Sequence, residues 1–105
     1  MIIYEVTSDV SAAGIAAYET YMRTTHVAAV MASGCFVSAT IDRSMPGRYR
    51  VRYVARNMDT LDRYLAMHAA QLREDFAAHL GDFVQVSREV WSELQHWTSA
   101  MPAPA

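Results

Sequence analysis

Three ionisable side chains occupy positions where the sequence pattern calls for apolar residues that face a core. His26 lies on the apolar stripe of a predicted first helix, His68 on that of a second helix, and Arg88 on the apolar face of a predicted last strand. A buried arginine costs free energy unless it is paired or faces an anionic ligand, and neither helix stripe supplies a clear carboxylate. These positions predict a pocket between helices and sheet that holds a carboxylate, an enolate or a phenolate.

Imidazole is the natural general base near neutral pH, and burial beside a cation keeps it uncharged. We therefore expect His26 to remove or shuttle a proton and Arg88 to hold the anionic oxygen that results. The side chains expected to bind the substrate in the same pocket are Tyr4, Met22, Tyr49, Tyr53 and His68. This arrangement predicts a small-molecule enzyme without an organic cofactor, acting on a hydrophobic oxygenated substrate as a cyclase, isomerase or cofactor-free monooxygenase.

Other interpretations of the same residues lead to other functions. Each histidine would be a core residue that hydrogen-bonds to backbone, and Arg88 would extend to the rim of the domain. The chain would then be a non-catalytic module that binds a small molecule or assembles as a dimer; haem binding by His26 is a third hypothesis. We expect no metal site, because the sequence has no HxxxH or HxH pair. The GxGxxG, P-loop and GxSxG motifs are also missing from the sequence.

Six elements must position these residues. Hydrophobic periodicity predicts the order β-α-β-β-α-β, with strands at 2–7, 35–42, 48–55 and 83–94 and helices at 12–32 and 58–80. Gly34 and Gly81 are expected to end the helices, and Asn57 or Thr60 to cap the second one. Gly14, inside the first helix, is expected to cost about 1 kcal/mol relative to alanine. The order predicts a ferredoxin-like α+β fold: a four-stranded antiparallel sheet with strands one and three central and both helices on one face.

The face of the sheet turned away from the helices is predicted to be mixed in character. Alternation along the strands places Ile3, Phe36 and Trp91 on it among charged side chains. A second copy of the sheet would cover this apolar area, which predicts a homodimer that closes as a dimeric α+β barrel. The alternative is a monomer with one wet face.

Length and composition limit the remaining possibilities. The 105 residues suit one domain, expected to cover residues 1–96, with a flexible tail at 97–105. Nine basic residues, all arginine, against eleven acidic ones give a net charge of −2 and no basic footprint for nucleic acid. The single cysteine, Cys35, excludes an internal disulfide and favours a reducing cytoplasm. No apolar run reaches the roughly 18–20 residues of a membrane span, so we expect no membrane association.

Several short segments, which together extend from about Ile2 to Glu93, resemble a known family. They are Ile2-Ile3-Tyr4-Glu5-Val6, Tyr21-Met22-Arg23, His26-Val27, Val30-Met31-Ala32-Ser33-Gly34-Cys35-Phe36, Tyr49-Arg50-Val51-Arg52-Tyr53, Leu61-Asp62-Arg63-Tyr64-Leu65, Leu72-Arg73, Phe83-Val84 and Ser87-Arg88-Glu89-Val90. The family they resemble is the uncharacterised DUF4286 family, and the helix histidine followed by Gly-x-Phe is the most specific of these motifs.

The resemblance implies a dimeric α+β barrel, similar to antibiotic-biosynthesis monooxygenases and small polyketide cyclases. It also implies that His26 and Arg88 belong to the family pattern by residue type. The chain departs from that pattern at Ala69-Ala70, where Ala-Pro is expected, and at Leu80-Gly81, where Phe-Pro is usual. These changes alter the end of the second helix and the pocket beside it.

Overall fold

A computed structural model describes residues 1–99. In chain order its elements are β1 Ile2–Val10, α1 Ile15–Tyr21, α2 Val27–Ala32, β2 Ser38–Met45, β3 Arg48–Ala55, α3 Met58–Met67, α4 Ala69–Leu80 and β4 Val84–Ser92. The strands form one antiparallel sheet in the order β2-β3-β1-β4, and the helices pack on one of its faces. The predicted ferredoxin-like α+β fold, with β1 and β3 central, is confirmed. Of the expected tail at 97–105, the part from residue 100 onward lies outside the described residues, so the tail and the domain boundary stay predictions.

The first helical segment is not a uniform α-helix. It begins as a 3₁₀ turn at Ala12–Gly14, continues as α1, widens into a π-helical turn at Met22–His26 and ends as α2. Within the π turn, the hydroxyl of Thr24 donates to the carbonyl oxygen of Thr20 at 2.6 Å. Such a side-chain bond competes with the backbone hydrogen bonds and distorts a helix. The wider turn carries Met22 and His26, which both face the sheet side of the helix.

The predicted single helix at 58–80 is wrong, because the backbone breaks at His68. This residue has φ −124°, and it separates α3 from α4. The predicted ends are otherwise confirmed: Asn57 caps α3 by accepting from the backbone N–H of Thr60 at 2.9 Å, and Gly81 follows the last residue of α4. Gly34 ends the first helical segment at φ 75°, a left-handed conformation that favours glycine.

The buried stripe of α3 passes through Tyr64 and not through Leu65. Leu61 is fully buried, but Leu65 is 36% exposed, and Tyr64 takes its place in the core. Tyr64 follows Leu61 by three residues rather than four, which is the other spacing that keeps two side chains on one helix face. The stripe then continues through Leu72 and Phe76 on α4, which are partly buried.

The second strand begins three residues later than predicted, and this moves Phe36 to the other side of the sheet. Cys35 and Phe36 precede β2, so the alternation of a strand does not apply to them. Phe36 is 6% exposed and packs in the helix-side core, with ring centroids 5.1 Å from Tyr53 and 4.8 Å from Tyr64. The prediction that Phe36 lies on the open face is therefore wrong.

The open face of the sheet otherwise has the predicted composition. Glu5 lies opposite Arg52 on β3 and opposite Glu89 on β4, and Ile3 lies opposite Trp91, which is 48% exposed. The dimeric barrel stays a prediction. No helix within residues 1–99 combines the length and apolar character that crossing a membrane requires.

Candidate functional site

A cavity lies between the helices and the sheet, where the sequence predicts a pocket. It is lined by Tyr4, Val6, Ser8, Met22, His26, Val30, Tyr53, Tyr64, Leu72, Arg73, Phe76, Val86 and Arg88. The enclosed volume of this cavity is about 40 Å³, which is enough for a few water molecules. With its open mouth included, the empty space is about 470 Å³. The interior is thus narrow and apolar, and its polar groups converge from both layers.

His26 reaches the cavity from the π turn. Its Nδ1 is sealed from solvent and has no hydrogen-bond partner among residues 1–99. The imidazole packs edge-on against Phe76 at a centroid distance of 5.3 Å, and it lies 5.7 Å from the ring of Tyr21. Burial lowers the pKa of His26; the negative charge of Asp75 opposes this shift and the positive charge of Arg88 adds to it. The imidazole is therefore neutral at pH 7 and able to accept a proton.

Arg88 enters the cavity from the sheet side. It lies opposite Val6 in the register of β1 and β4, on the face that packs under the helices, as predicted. The expectation that its side chain is buried is wrong for the single chain, in which Arg88 is exposed. The reason is that β4 is an edge strand, so the helices do not cover its outer side.

A second guanidinium lines the same cavity, and the sequence pattern does not predict it there. Arg73, on α4, donates from Nη2 to the hydroxyl oxygen of Tyr4 at 3.0 Å. Because this oxygen accepts from the guanidinium, the hydroxyl proton of Tyr4 is left to donate to a further acceptor. A signal was present, since Arg73 directly follows Leu72 and lies beside the apolar stripe of its helix.

Tyr4, Tyr53 and Tyr64 form an aromatic cluster at the base of the cavity. Their ring centroids lie 6.0 Å apart for Tyr4 and Tyr64 and 6.2 Å apart for Tyr4 and Tyr53. Burial raises the pKa of Tyr53, and it raises the pKa of Tyr64 to about 12. Both phenols therefore stay protonated at neutral pH and act as neutral hydrogen-bond donors.

Two of the predicted substrate-binding residues lie outside the cavity. Tyr49 donates from its hydroxyl to Glu19 on α1 at 2.5 Å, and Arg43 pairs with the same carboxylate at 3.2 Å. The hydrogen bond from Tyr49 is the largest cause that lowers the pKa of Glu19. His68 sits at the break between α3 and α4, where its ring stacks on Tyr64 at a centroid distance of 6.3 Å. Neither side chain lines the space that the other predicted residues share.

Ser8 is a further polar residue that the sequence interpretation missed. It is 2% exposed and lines the cavity. The two-residue period of β1 places Ser8 on the same face as Tyr4 and Val6, so alternation alone would have found it. Within residues 1–99, no three His, Cys, Asp or Glu side chains come close enough together to hold a metal ion.

Comparisons with known sequences and structures agree with this architecture. The family model described as "Domain of unknown function (DUF4286)" matches residues 1–94. A comparison with curated proteins found no match to this chain.

Solved structures of similar fold include three from bacteria. A protein of Deinococcus radiodurans, provisionally classed as an antibiotic biosynthesis monooxygenase, is 19% identical, with 96% of this chain and 100% of that chain covered and a TM-score of 0.69. SnoaB of Streptomyces nogalater, described as a cofactor-independent oxygenase, is 18% identical, with 90% and 95% covered and a TM-score of 0.69. HapK of Hahella chejuensis is 14% identical, with 96% and 100% covered and a TM-score of 0.70. At these identities the likeness establishes a shared fold.

Proposed function

The chain belongs to the DUF4286 family, and from the site it carries we propose that it is a small-molecule enzyme that works without an organic cofactor. The observation that carries this proposal is a neutral imidazole, His26, in an apolar cavity that also contains the guanidinium of Arg88. A base and a cation on opposite walls suit the removal of a proton from carbon beside a carbonyl group. The description of SnoaB as a cofactor-independent oxygenase supports the same class of chemistry.

The proposed reaction begins at the imidazole. Since Nδ1 of His26 is sealed, Nε2 is the nitrogen that takes the proton, and the electron pair of the broken C–H bond moves onto the carbonyl oxygen. Arg88 and the free hydroxyl proton of Tyr4 stabilise the enolate oxygen that results. The enolate then isomerises by reprotonation at another carbon, cyclises by attack on a second carbonyl, or reacts with dioxygen.

A substrate for this site has a flat hydrophobic body and at least one oxygen. Met22, Leu72 and Phe76 contribute apolar surface, and Tyr53 and Tyr64 supply aromatic rings on which a planar ligand stacks. Methionine adapts its shape readily, so Met22 allows the narrow interior to widen around a ring system.

The test uses 2-tetralone, a planar ketone with an acidic C–H bond, in D₂O with the full-length chain and no added cofactor. Proton NMR follows the loss of the C1 protons. We expect the wild-type chain to accelerate exchange over buffer, and His26→Gln to lower the protein-dependent rate by roughly a hundredfold or more, the usual contribution of a general base. An oxygen electrode on the same mixture distinguishes oxygenation from simple proton exchange.

His96→Gln is the matched control, because it removes an exposed imidazole that does not line the cavity. Its exchange rate should equal that of the wild type. Equal rates for His26→Gln and the wild type, or a wild-type rate no higher than buffer, would contradict the catalytic role.

One observation favours the second candidate, a non-catalytic binding module. Bases in enzymes are usually oriented by a hydrogen bond to their other ring nitrogen, and Nδ1 of His26 has no such partner within residues 1–99. Chemical-shift changes that saturate with 2-tetralone concentration, without any protein-dependent exchange, would identify this function instead.

We also propose that the chain forms a homodimer through the open face of the sheet. Glu5 and Glu89 lie directly opposite each other there, and like charges in this position destabilise a sheet unless cations neutralise them. Arg52 supplies one cation from β3. Arginines from a second copy would supply others, and its sheet would cover Ile3 and Trp91.

A further inference from the structure

We propose that Arg73 and Arg88 together form an anion clamp at the cavity, and that the ligand is an amphipathic monoanion with a flat apolar body and one carboxylate or sulfonate group. Arg73 reaches the cavity from α4 and Arg88 reaches it from β4, so the two guanidinium groups approach from different layers of the fold. The proposal rests on the proposed function only in placing a small molecule in the same cavity, and it holds whether or not that molecule reacts.

The first argument for the clamp is the charge of the cavity wall. Two arginines line it, His26 is neutral there, and no Asp or Glu is among the lining residues. In the part of the chain that the structure describes, neither Arg73 nor Arg88 forms an ion pair, although four other arginines do. Two cations without a counter-ion favour an anionic ligand.

No carboxylate within residues 1–99 forms an ion pair with either of these two arginines. Asp75 lies on the same helix as Arg73 and acts on His26, but its Oδ1 accepts a hydrogen bond from Gln71 at 3.0 Å. Glu89 follows Arg88 in sequence, and strand alternation turns it to the open face of the sheet, opposite Glu5. The cavity wall thus carries two guanidinium groups without a direct ion-pair partner among residues 1–99, and the charge of Asp75 acts from outside the lining.

The second argument is the common neighbourhood of the two guanidinium groups. Arg73 contacts the hydroxyl of Tyr4, and Arg88 lies opposite Val6, the next residue on the same face of β1. Both arginines also oppose the rise in the pKa of Tyr64, so both act on the same phenol. Guanidinium groups hold carboxylate and sulfonate oxygens in paired hydrogen bonds, which makes this pair suited to one such group.

The test compares two fluorescent probes that share an apolar body. The anionic probe is 8-anilinonaphthalene-1-sulfonate, and the neutral one is N-phenyl-1-naphthylamine, which lacks the sulfonate. We expect the full-length chain to bind the anionic probe more tightly, and added sodium chloride to reduce this preference because it screens the partly exposed charges. Arg73→Gln and Arg88→Gln should each weaken binding of the anionic probe by roughly three- to tenfold, allowing for solvent exposure, and leave the neutral probe unaffected.

Arg56→Gln is the matched control, since it removes the same charge from an exposed position that does not line the cavity. It should leave both affinities unchanged. Equal affinity of the wild type for the two probes, no saturable binding of the anionic probe, or equal losses in Arg56→Gln and Arg73→Gln would each overturn the clamp. Circular dichroism and thermal unfolding of every variant show whether a loss of binding comes from a loss of fold.

The catalytic role of His26 and the anion clamp can be contradicted independently of each other. A chain that prefers the anionic probe but does not accelerate proton exchange has the clamp without the catalysis. A chain in which His26→Gln abolishes exchange while the two probes bind equally has the base without the clamp.

Discussion

His26 experiences two opposite charges as well as burial. Burial and Arg88 favour the neutral imidazole, whereas Asp75 favours the charged one, and the net result is a lowered pKa. A bound anion would add negative charge beside the ring and raise this pKa again, because opposite charges favour the protonated form. The imidazole would then hold a proton more tightly after an anionic intermediate has formed, which suits a residue that must return the proton.

The lowered pKa of His26 predicts a loss of stability in mild acid. Above the ordinary histidine pKa of about 6.5, His26 is neutral in both the folded and the unfolded chain. As the pH falls below that value, the unfolded chain binds a proton that the folded chain resists, so the free energy of unfolding decreases until the lower folded pKa is passed. Each unit of difference between the two pKa values is worth about 1.4 kcal/mol.

The measurement is urea unfolding of the wild type and His26→Gln between pH 7.5 and pH 5. The difference in free energy of unfolding between the two proteins should shift against the wild type as the pH falls. A difference that stays constant over this interval would show that His26 has an ordinary pKa in the folded chain.

The order and type of the six elements could be predicted from sequence because each has its own apolar period and an end signal. The sequence predicts β3 at 48–55, and the structure has it at Arg48–Ala55. The apolar alternation defines the strand, and Gly47 before it marks where the strand begins. The π turn could not be predicted, because the hydrogen bond from Thr24 to Thr20 competes with backbone bonds of similar strength. Strand alternation predicts the wrong face for Phe36, because this residue precedes β2.

The candidate site was predictable in part for the same reasons. His26, Arg88, Tyr4, Met22 and Tyr53 reach the cavity because face assignments follow directly from helix and strand periods. Periodicity does not predict hydrogen-bond partners, so it cannot show that the hydroxyl of Tyr49 donates to the carboxylate of Glu19 and lies outside the cavity. Nor could it show that a long side chain such as Arg73 bends back from an exposed helix position to reach a phenol.

At Gly14, helix propensity predicts the wrong sign for the change in stability on substitution by alanine. Propensity predicts that Gly14→Ala stabilises the chain by about 1 kcal/mol. In the fold, a Cβ atom at this position would lie 2.5 Å from the Cβ of Phe83, the residue that precedes β4. We therefore expect Gly14→Ala to destabilise the chain by roughly 1–3 kcal/mol, as overpacking does, measured as a lower midpoint of urea unfolding.

The double variant Gly14→Ala with Phe83→Gly is the control for this contact, because it removes both the Cβ and the ring of Phe83. Removal of these atoms relieves the overlap and should recover part of the lost stability, so the effects of the two changes should not be additive. A stabilised Gly14→Ala variant would mean that the first turn moves away from Phe83 at little cost.

The proposed homodimer would form through the open face of the sheet. Trp91 is 48% exposed in the single chain, and on this face it lies beside Ile3. We expect the wild type to sediment as a dimer in analytical ultracentrifugation, and Trp91→Glu to sediment as a monomer because it places a charge in the covered area. Leu94→Glu is a useful comparison, since Leu94 is 96% exposed after the end of β4. A wild type that sediments as a monomer over the whole dilution range would contradict the dimer.

Among residues 1–99, β4 pairs with one strand, β1, and successive residues along β4 face opposite sides of the sheet. Arg88 reaches the cavity, and Glu89, one residue later, faces outward opposite Glu5. A dimer partner that holds the backbone at Glu89 would also fix the Cα position from which the side chain of Arg88 extends, since the two residues share a peptide bond. If the proposed dimer forms, ligand affinity would then rise with protein concentration, because self-association and ligand binding would be coupled equilibria.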